Sequence, residues 1–570
     1  MKNTSLKGAV GTTDTHYVKE NTYKEDYKRV DFNEVIEMKA VTWEGNAWKG
    51  DRASAQFVLW TNDEGKEGVS LSVGDLVDSY NHKIKASSIK ANFIQTTRAG
   101  RGNPSQGNPQ EIIPDILFSS YPINMDETSV QPIWVSIDIP RDAVAGHYTG
   151  EMSVNTASGD EVIFTIQLEV LDITLPEVKD WTYFLDLWQN PFAVARINHI
   201  PEDQLWSQKH FDVMRPHYEM LAAAGQKSIT TTVTTDPWDS QTYDPYHSMV
   251  KWVRKVDGTF DFDFSIFDMW VKFMMDIGID KQIDAYSMVS WASKITYYDE
   301  AKKNDVIEKI DVNHPKWAEM WRAFLEAFVP HLDEKGWLDK TYMANDERPL
   351  ADLGKAVDLI EEVSNGRLKI SAAMNYNSLN DPQLDRIHHI SVGLYHIQHD
   401  SKELINVSKR RRELGLLTTI YNCVGHYPNS FIRSIPVEGV WVIWDTMRHK
   451  ADGYLRWAFD SFVKNPFETT DFKTWESGDA FLIYPGARSS VRFERMKEGI
   501  RDAVKVRYIS RNDSHLGDAI ETEIWKMNAV GYATDPYNGV KDPGIVNISQ
   551  EVNRLKVVLD KATRRYIAQN

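Results

Sequence analysis

The sequence predicts a multidomain fold of class β plus α/β, in which an N-terminal β-sandwich is followed by a (β/α)8 barrel. Up to Leu175 the chain is written in short runs that alternate apolar and polar residues, the period of half-buried strands. Beyond Glu177 short apolar runs alternate with longer amphipathic stretches, the pattern of βα units. A length of 570 residues is about four average domains, or about two when one of them is a large barrel.

The sandwich strands are read in order at 53–60, 69–73 and 133–139, where period-two alternation turns one face to a core. Runs at 147–156 and 161–173 are joined by Ala157-Ser158-Gly159-Asp160, a short glycine-containing connection that closes a hairpin. Many strands and no convincing helix imply a sandwich. Between Ala91 and Pro114 no apolar period is found, and the expectation there is a long exposed loop. Leu175-Pro176-Glu177 marks the boundary, giving a sandwich over 1–176 and, over 177–570, a barrel with a C-terminal helical extension.

Eight apolar runs are candidate barrel strands: 183–187, 228–234, 282–289, 341–345, 369–374, 390–396, 417–421 and 453–459. Helical stretches at 211–224, 266–277, 317–332, 353–363 and 402–414 lie between them, and a last helix is expected at 549–567. In such a barrel chemistry gathers at the C-terminal ends of the strands, where eight loops converge on one mouth.

Composition excludes several classes of function. There are 65 Lys plus Arg against 82 Asp plus Glu, and the net charge of −17 disfavours nucleic acid or an anionic membrane as partner. The single cysteine, Cys423, can form neither an intrachain disulfide nor a cysteine-rich metal site. No uninterrupted apolar stretch is long enough to cross a membrane, and the polar start lacks the apolar segment of a signal peptide. This start suits a cytoplasmic chain or a mature exported one. The 19 tryptophans offer flat faces for sugar rings, or equally a tryptophan-rich core.

The fourth predicted strand ends Asn345-Asp346-Glu347-Arg348-Pro349, which puts two acids at the mouth. Asp-Glu occurs six times in the chain, so position selects this pair; the bland alternative is an exposed acidic turn. Within a strand successive side chains point to opposite faces, and two neighbouring acids converge only where the strand ends and turns. Repulsion and burial then raise one pKa, so that one acid keeps a proton while the other stays charged. Glycosidic bond cleavage needs that division, a proton for the leaving oxygen and an anion near the developing positive charge.

Other predicted mouth positions are rich in aromatic and amide groups: Asp186 and Trp188, Asp236 and Trp238, Trp291, Asn375 and Tyr376, Tyr395, Tyr421 and Asn422. Each aromatic could equally be core, and Trp441 with Trp444, three apart, fit one buried helix face as well as a ligand platform. No metal site and no cofactor is expected. His396 and His399 would sit at a strand end, where their spacing splits their faces, His388-His389 is equally weak, and no HExxH pattern exists.

The runs Asp452-Gly453-Tyr454-Leu455-Arg456-Trp457-Ala458, Asn465-Pro466, Gly478-Asp479-Ala480-Phe481-Leu482-Ile483-Tyr484-Pro485-Gly486 and Ser490 to Asp502, taken with Asp346-Glu347, resemble glycoside hydrolase family 123. The resemblance extends to the Ala47-Trp48-Lys49-Gly50-Asp51-Arg52 segment of the sandwich, and so to nearly the whole chain. It implies a retaining exo-β-N-acetylgalactosaminidase acting on terminal β-linked N-acetylgalactosamine, as on glycosphingolipid-type glycans, with the substrate's 2-acetamido group as nucleophile and an oxazolinium intermediate. By position Glu347 would be the general acid and base, and Asp346 would orient the acetamido nitrogen. Mouth position and residue type add Tyr395 as a hydroxyl donor to the acetamido carbonyl, Trp441, Trp444 and Trp188 as aromatic surface, and Asn375 and Asp479 for sugar hydroxyls. Arg492 and Glu494 are expected to form an ion pair behind the mouth. The resemblance also implies a bacterial enzyme that is periplasmic, on the cell surface or secreted. The alternative is a non-catalytic carbohydrate-binding protein on a barrel scaffold, since fold alone does not fix function.

Overall fold

The computed structural model describes residues 6–21, 29–100, 110–119, 122–374, 379–393, 401–422, 428–473, 475–527 and 548–570. Within them the chain forms an N-terminal β-rich part and a parallel barrel with helices, as the sequence predicts.

The sandwich has two sheets. One runs Leu6–Gly11, Arg52–Thr61, Ser129–Asp138, Ile89–Gly100 and Gln110–Phe118 in spatial order, all antiparallel. The other runs Thr42–Lys49, Glu161–Thr174, Gly146–Asn155, Lys66–Val73 and Ile123–Met125, its first pairing parallel. The expected hairpin keeps an unbroken register from Gly146 opposite Val170 to Asn155 opposite Glu161. Inward residues of both sheets meet in one core, where the rings of Phe57 and Phe164 lie 4.8 Å apart. One short helix, Phe32–Val35, is capped by Asp31.

The predicted loop between Ala91 and Pro114 is instead largely two paired strands, with only 101–109 outside the described residues. The reason lies in its surroundings. Past the sandwich core the outer end of this hairpin meets the barrel: Arg98 bridges Thr469, Ile116 bridges Ser490, and Ala99 and Ile113 bury against Ile432. Polar Thr97 and Glu111 are buried there while Ile112 is exposed, so burial alternates along these strands without an apolar period in the sequence.

The barrel strands are β1 (Phe184–Leu187), β2 (Ser228–Thr232), β3 (Gln282–Tyr286), β4 (Thr341–Asp346), β5 (Lys369–Met374), β6 (His389–Gly393), β7 (Leu417–Tyr421) and β8 (Gly453–Arg456). All pair in parallel, in the order β1-β8-β7-β6-β5-β4-β3-β2. The ring is nearly closed where Leu185 bridges Gln226 and accepts the Lys227 N–H at 2.9 Å. Gly453 opens β8 because a Cβ there would collide with the Phe184 carbonyl oxygen.

Helices α1 (Pro191–Ile197), α2 (Gln208–Ala223), α3 (Ser265–Asp276), α4 (Pro315–Glu334), α5 (Leu350–Ser364), α6 (Ser401–Glu413) and α7 (Val437–Arg448) connect the strands. α4 starts with proline in its first turn and buries Trp317, Trp321, Phe324 and Phe328 at three- and four-residue spacing, the stripe of an amphipathic helix. The loops after β2 and β3 together build a four-stranded accessory sheet, Phe260–Asp263, Lys251–Arg254, Lys294–Asp299 and Asn304–Lys309 in spatial order. Its four strands are not among those expected from the sequence.

Among the described residues three C-terminal helices follow, α8 (Val491–Asn512), α9 (Ser514–Trp525) and α10 (Ile548–Gln569). α8 is the joint between the two parts. Arg492 Nε lies 3.1 Å from Asp115 of the sandwich, and Arg501 and Lys505 reach Asp51 at 3.1 and 2.6 Å. The expected Arg492–Glu494 pair is therefore corrected: residues two apart on a helix do not face each other. Glu494 pairs with Lys497 at 2.6 Å and faces Arg52 at 3.5 Å. Although burial opposes it, these cations hold the Glu494 carboxyl down to about 2.

Candidate active site

The site is built from the end of β4. Buried Asn345 accepts hydrogen bonds from Ser287 Oγ at 3.1 Å and from the Val289 N–H at 3.3 Å, which ties β4 to the loop after β3. Asp346 is the last strand residue, and Glu347 has φ of 48°. That left-handed conformation is uncommon for a residue with a Cβ and ends the strict alternation of the strand. It is anchored by the Glu347 N–H, which donates to Ala373 on β5 at 3.1 Å. Pro349 then caps α5, and the chain leaves the mouth.

Each acid is met by an aromatic donor from a different part of the rim. Trp291, in the loop after β3, donates its indole N–H to Asp346 Oδ2 at 2.9 Å. Tyr421, at the end of β7, donates its hydroxyl to Glu347 Oε1. Burial, and then the neighbouring Glu347, push the Asp346 carboxyl up to about 7, against the Trp291 hydrogen bond and the nearby Arg348. The pair therefore holds a proton near neutrality.

A cluster of tilted and edge-on rings gathers at the ends of β1 and β3. Trp188, just past β1, lies 5.1 Å from Trp238 and 4.8 Å from Tyr286 at the end of β3, and Trp238 contacts Tyr246 at 4.7 Å. Burial raises the Tyr286 hydroxyl, and the charges of Asp284, Asp186 and, less, Asp346 raise it further.

Comparison with known proteins identifies the family. Residues 188–509 match the catalytic domain of glycoside hydrolase 123, and residues 10–156 match the N-terminal domain of the same family. A family 123 glycoside hydrolase from Clostridium perfringens, whose structural analysis concerns glycolipid glycan hydrolysis, is 35% identical, with 99% of each chain covered and a TM-score of 0.91. The chain belongs to glycoside hydrolase family 123. A Bacteroides ovatus xyloglucanase (10% identity, 81% of this chain and 98% of that chain covered, TM-score 0.31) and a Clostridium thermocellum xylanase (9%, 78% and 90%, 0.33) are far more distant. No match was found among curated proteins.

Other expectations fare differently in this family 123 glycosidase. Asn375, Tyr376 and Tyr395, with His396, His399 and Cys423, lie outside the described residues. Trp441 and Trp444 are fully buried on α7, and the Trp444 indole donates to Asp502 of α8 at 3.3 Å. Neither presents a ring face to a ligand, so the platform role is corrected; their spacing belongs to the buried face of a helix. Asp479 is likewise buried and engaged on both oxygens, by Arg456 at 2.9 Å and by the Trp457 indole at 2.8 Å. It holds the end of β8 in place, in contrast to the sugar-hydroxyl role expected of it. Asp186 lies inside the barrel, bonded to Ser228 Oγ of β2, and Asp236 accepts from Ser240 at 3.0 Å within its own turn.

Below the mouth the barrel carries a polar layer that the sequence did not reveal. Asp284 accepts from Gln282 Nε2 at 2.9 Å and from Ser371 Oγ at 2.7 Å, while His389 lies 3.0 Å from Gln282 and 2.9 Å from Thr419. Burial pushes Asp284 up to about 6 and His389 down to about 3, so His389 is neutral. Among the described residues no group of three or more His, Cys, Asp or Glu could hold a metal ion, and no helix is long and apolar enough to cross a membrane.

Proposed function

We propose that this family 123 glycosidase removes terminal, non-reducing β-linked N-acetylgalactosamine from glycans of the glycolipid type, with retention and with participation of the substrate's own acetamido group. The observation that carries the reading is the pairing of Asp346 and Glu347 at the turn of β4, each acid held by its own aromatic donor and the pair keeping a proton near neutrality.

When the sugar binds, its acetamido N–H donates to Asp346. That bond favours the anion on Asp346, and the proton held by the pair passes to Glu347. The acetamido carbonyl oxygen then attacks the anomeric carbon as the glycosidic bond breaks, and Glu347 delivers its proton to the departing oxygen. The oxazolinium ion that results carries its positive charge beside Asp346. In the second half Glu347 takes a proton from water as that water adds to the anomeric carbon, and the ring opens to restore the acetamide. No enzyme carboxylate bonds to the sugar, one of the known exceptions to the two-carboxylate scheme. Trp188 stays in the proposal as aromatic surface for the sugar, backed by its ring contacts with Trp238 and Tyr286. Tyr395 and Asn375 stay in the proposal as donors to the acetamido carbonyl and a sugar hydroxyl.

The test compares aryl β-N-acetylgalactosaminides with the matching β-galactosides, which lack the acetamido group. Hydrolysis of the former alone, with inhibition by a thiazoline analogue, supports the reading. Glu347→Gln should lose about 10²- to 10⁴-fold on poor leaving groups and much less on activated ones. Equal rates on both sugars, or equal losses across leaving groups, would sink it. The reading places the enzyme in a bacterial periplasm, at the cell surface or in the medium, which cell fractionation tests.

A further inference from the structure

Trp291 occupies an unusual position for a mouth tryptophan. It is 37% exposed, yet its indole N–H is committed to Asp346 Oδ2 at 2.9 Å. The ring is not loose. Its backbone N–H donates to Pro237 in the loop after β2 at 2.8 Å, and three residues later the chain enters the accessory sheet. Arg348 lies over the ring with its guanidinium carbon 4.7 Å from the centroid. Its Nε has no hydrogen-bond partner among the described residues, so the indole face is the contact that seats this guanidinium.

We propose that Trp291 and Arg348 form a clamp on Asp346, committing one carboxylate oxygen to the indole and leaving the other for the substrate amide. Both are positioning residues for acetamido participation. The inference rests on the functional reading above and extends it to two residues that touch Asp346 or its donor. Two physical effects act together. The hydrogen bond fixes the carboxylate's rotation, and an acyl oxygen attacks its own ring carbon well only when the group bearing it is held still. The indole and the guanidinium also favour the charged carboxylate, offsetting burial and the repulsion from Glu347. The titratable and charged groups facing Asp346 among the described residues are Glu347 and Arg348 beside it and Tyr286 from β3. Tyr421 reaches Glu347 from β7.

The proton delivered by Glu347 is the one the pair holds, so losing the indole donor tightens Asp346's grip on that proton, opposes its passage to Glu347 and moves the pair's last ionisation to higher pH. Trp291→Phe keeps a ring for Arg348 but removes the N–H. Its kcat/KM on an aryl β-N-acetylgalactosaminide should fall about 10- to 100-fold, the worth of one hydrogen bond to a charged group. The basic limb of its pH profile should move to higher pH, and Arg348→Met should move the same limb in the same direction by less. In an Asp346→Ala background Trp291→Phe should cost nothing more, because the clamped group is gone. The clamp is overturned by a basic limb that stays in place, or by a loss as large in the Asp346→Ala background as in the parent, provided Asp346→Ala is itself impaired. Wild-type turnover by Asp346→Ala would overturn the reading beneath it. Thermal melts keep the arms interpretable, and Arg348→Met decides between the outcomes if Trp291→Phe does not fold.

Discussion

The Tyr421 hydroxyl donates to Glu347 Oε1, so that the end of β7 meets the end of β4 across the barrel mouth. β5 and β6 lie between these strands in the sheet. Neighbouring strands are about 4.8 Å apart, and only side chains turned inward over the mouth can close such a gap. Glu347 is turned that way by its left-handed backbone, and Tyr421 has the length to reach it.

Removing that hydroxyl tests its part in holding the proposed acid. Tyr421→Phe should lower kcat/KM by about tenfold, the scale of a hydrogen bond to a charged group, with the melting temperature nearly unchanged. The loss should be larger on poor leaving groups, where proton delivery counts most. A uniform loss across leaving groups would assign Tyr421 to substrate binding.

Asp346 links the site to stability. Its carboxyl is raised from 3.8 to about 7, so between these values the folded chain binds more protons than the unfolded chain. Stability from this group is therefore fully present below about pH 4 and is lost as pH rises through 7. Asp346→Asn should be more stable than the parent at pH 8 by about 1 to 2 kcal/mol, after discounting partial exposure. Near pH 4 the difference should vanish. Denaturant melts at the two pH values check it, and a constant difference would count against the shift.

Trp444 should behave as a core residue. Trp444→Ala should cost about 3 to 5 kcal/mol of stability, through the cavity left between α7 and α8. At a temperature where the variant stays folded, KM should match the parent. A raised KM with unchanged stability would restore a role in the sugar site.

The buried Arg456–Asp479 pair predicts an asymmetry. Asp479→Ala leaves the Arg456 guanidinium with Asn429 as its remaining side-chain acceptor and should cost about 3 to 5 kcal/mol. Replacing both together, Arg456→Met with Asp479→Leu, should cost less than Asp479→Ala alone. Additive losses measured in denaturant would refute the coupling.

Much of the site was legible because a barrel reduces the search to strand ends. Asp346 and Glu347 stood out at the end of the fourth apolar run, and Trp291 and Tyr421 were already among the rim aromatics. Their partners were not legible. Nothing in spacing tells that Trp291, 55 residues before Asp346, donates to it, or that Tyr421 chooses Glu347. Trp441 and Trp444 were ambiguous for a physical reason, since spacing by three marks a helix face without saying whether protein or ligand covers it. The 91–114 segment was hidden for another reason: its buried positions include Thr97 and Glu111 and its exposed ones Ile112, so its strands carry no apolar period.

The sequence by itself determined the two-part architecture and the placing of an acid pair at one strand end, because burial periodicity and strand termination are local properties of the chain. Tertiary structure alone decided which aromatic seizes which carboxylate, and which tryptophans face α8 instead of the mouth. It also set the proton affinity of Asp346, which arises from charges, donors and burial contributed by β3, β4 and their loops. Such a quantity is a sum over neighbours in space, and no single stretch of sequence contains it.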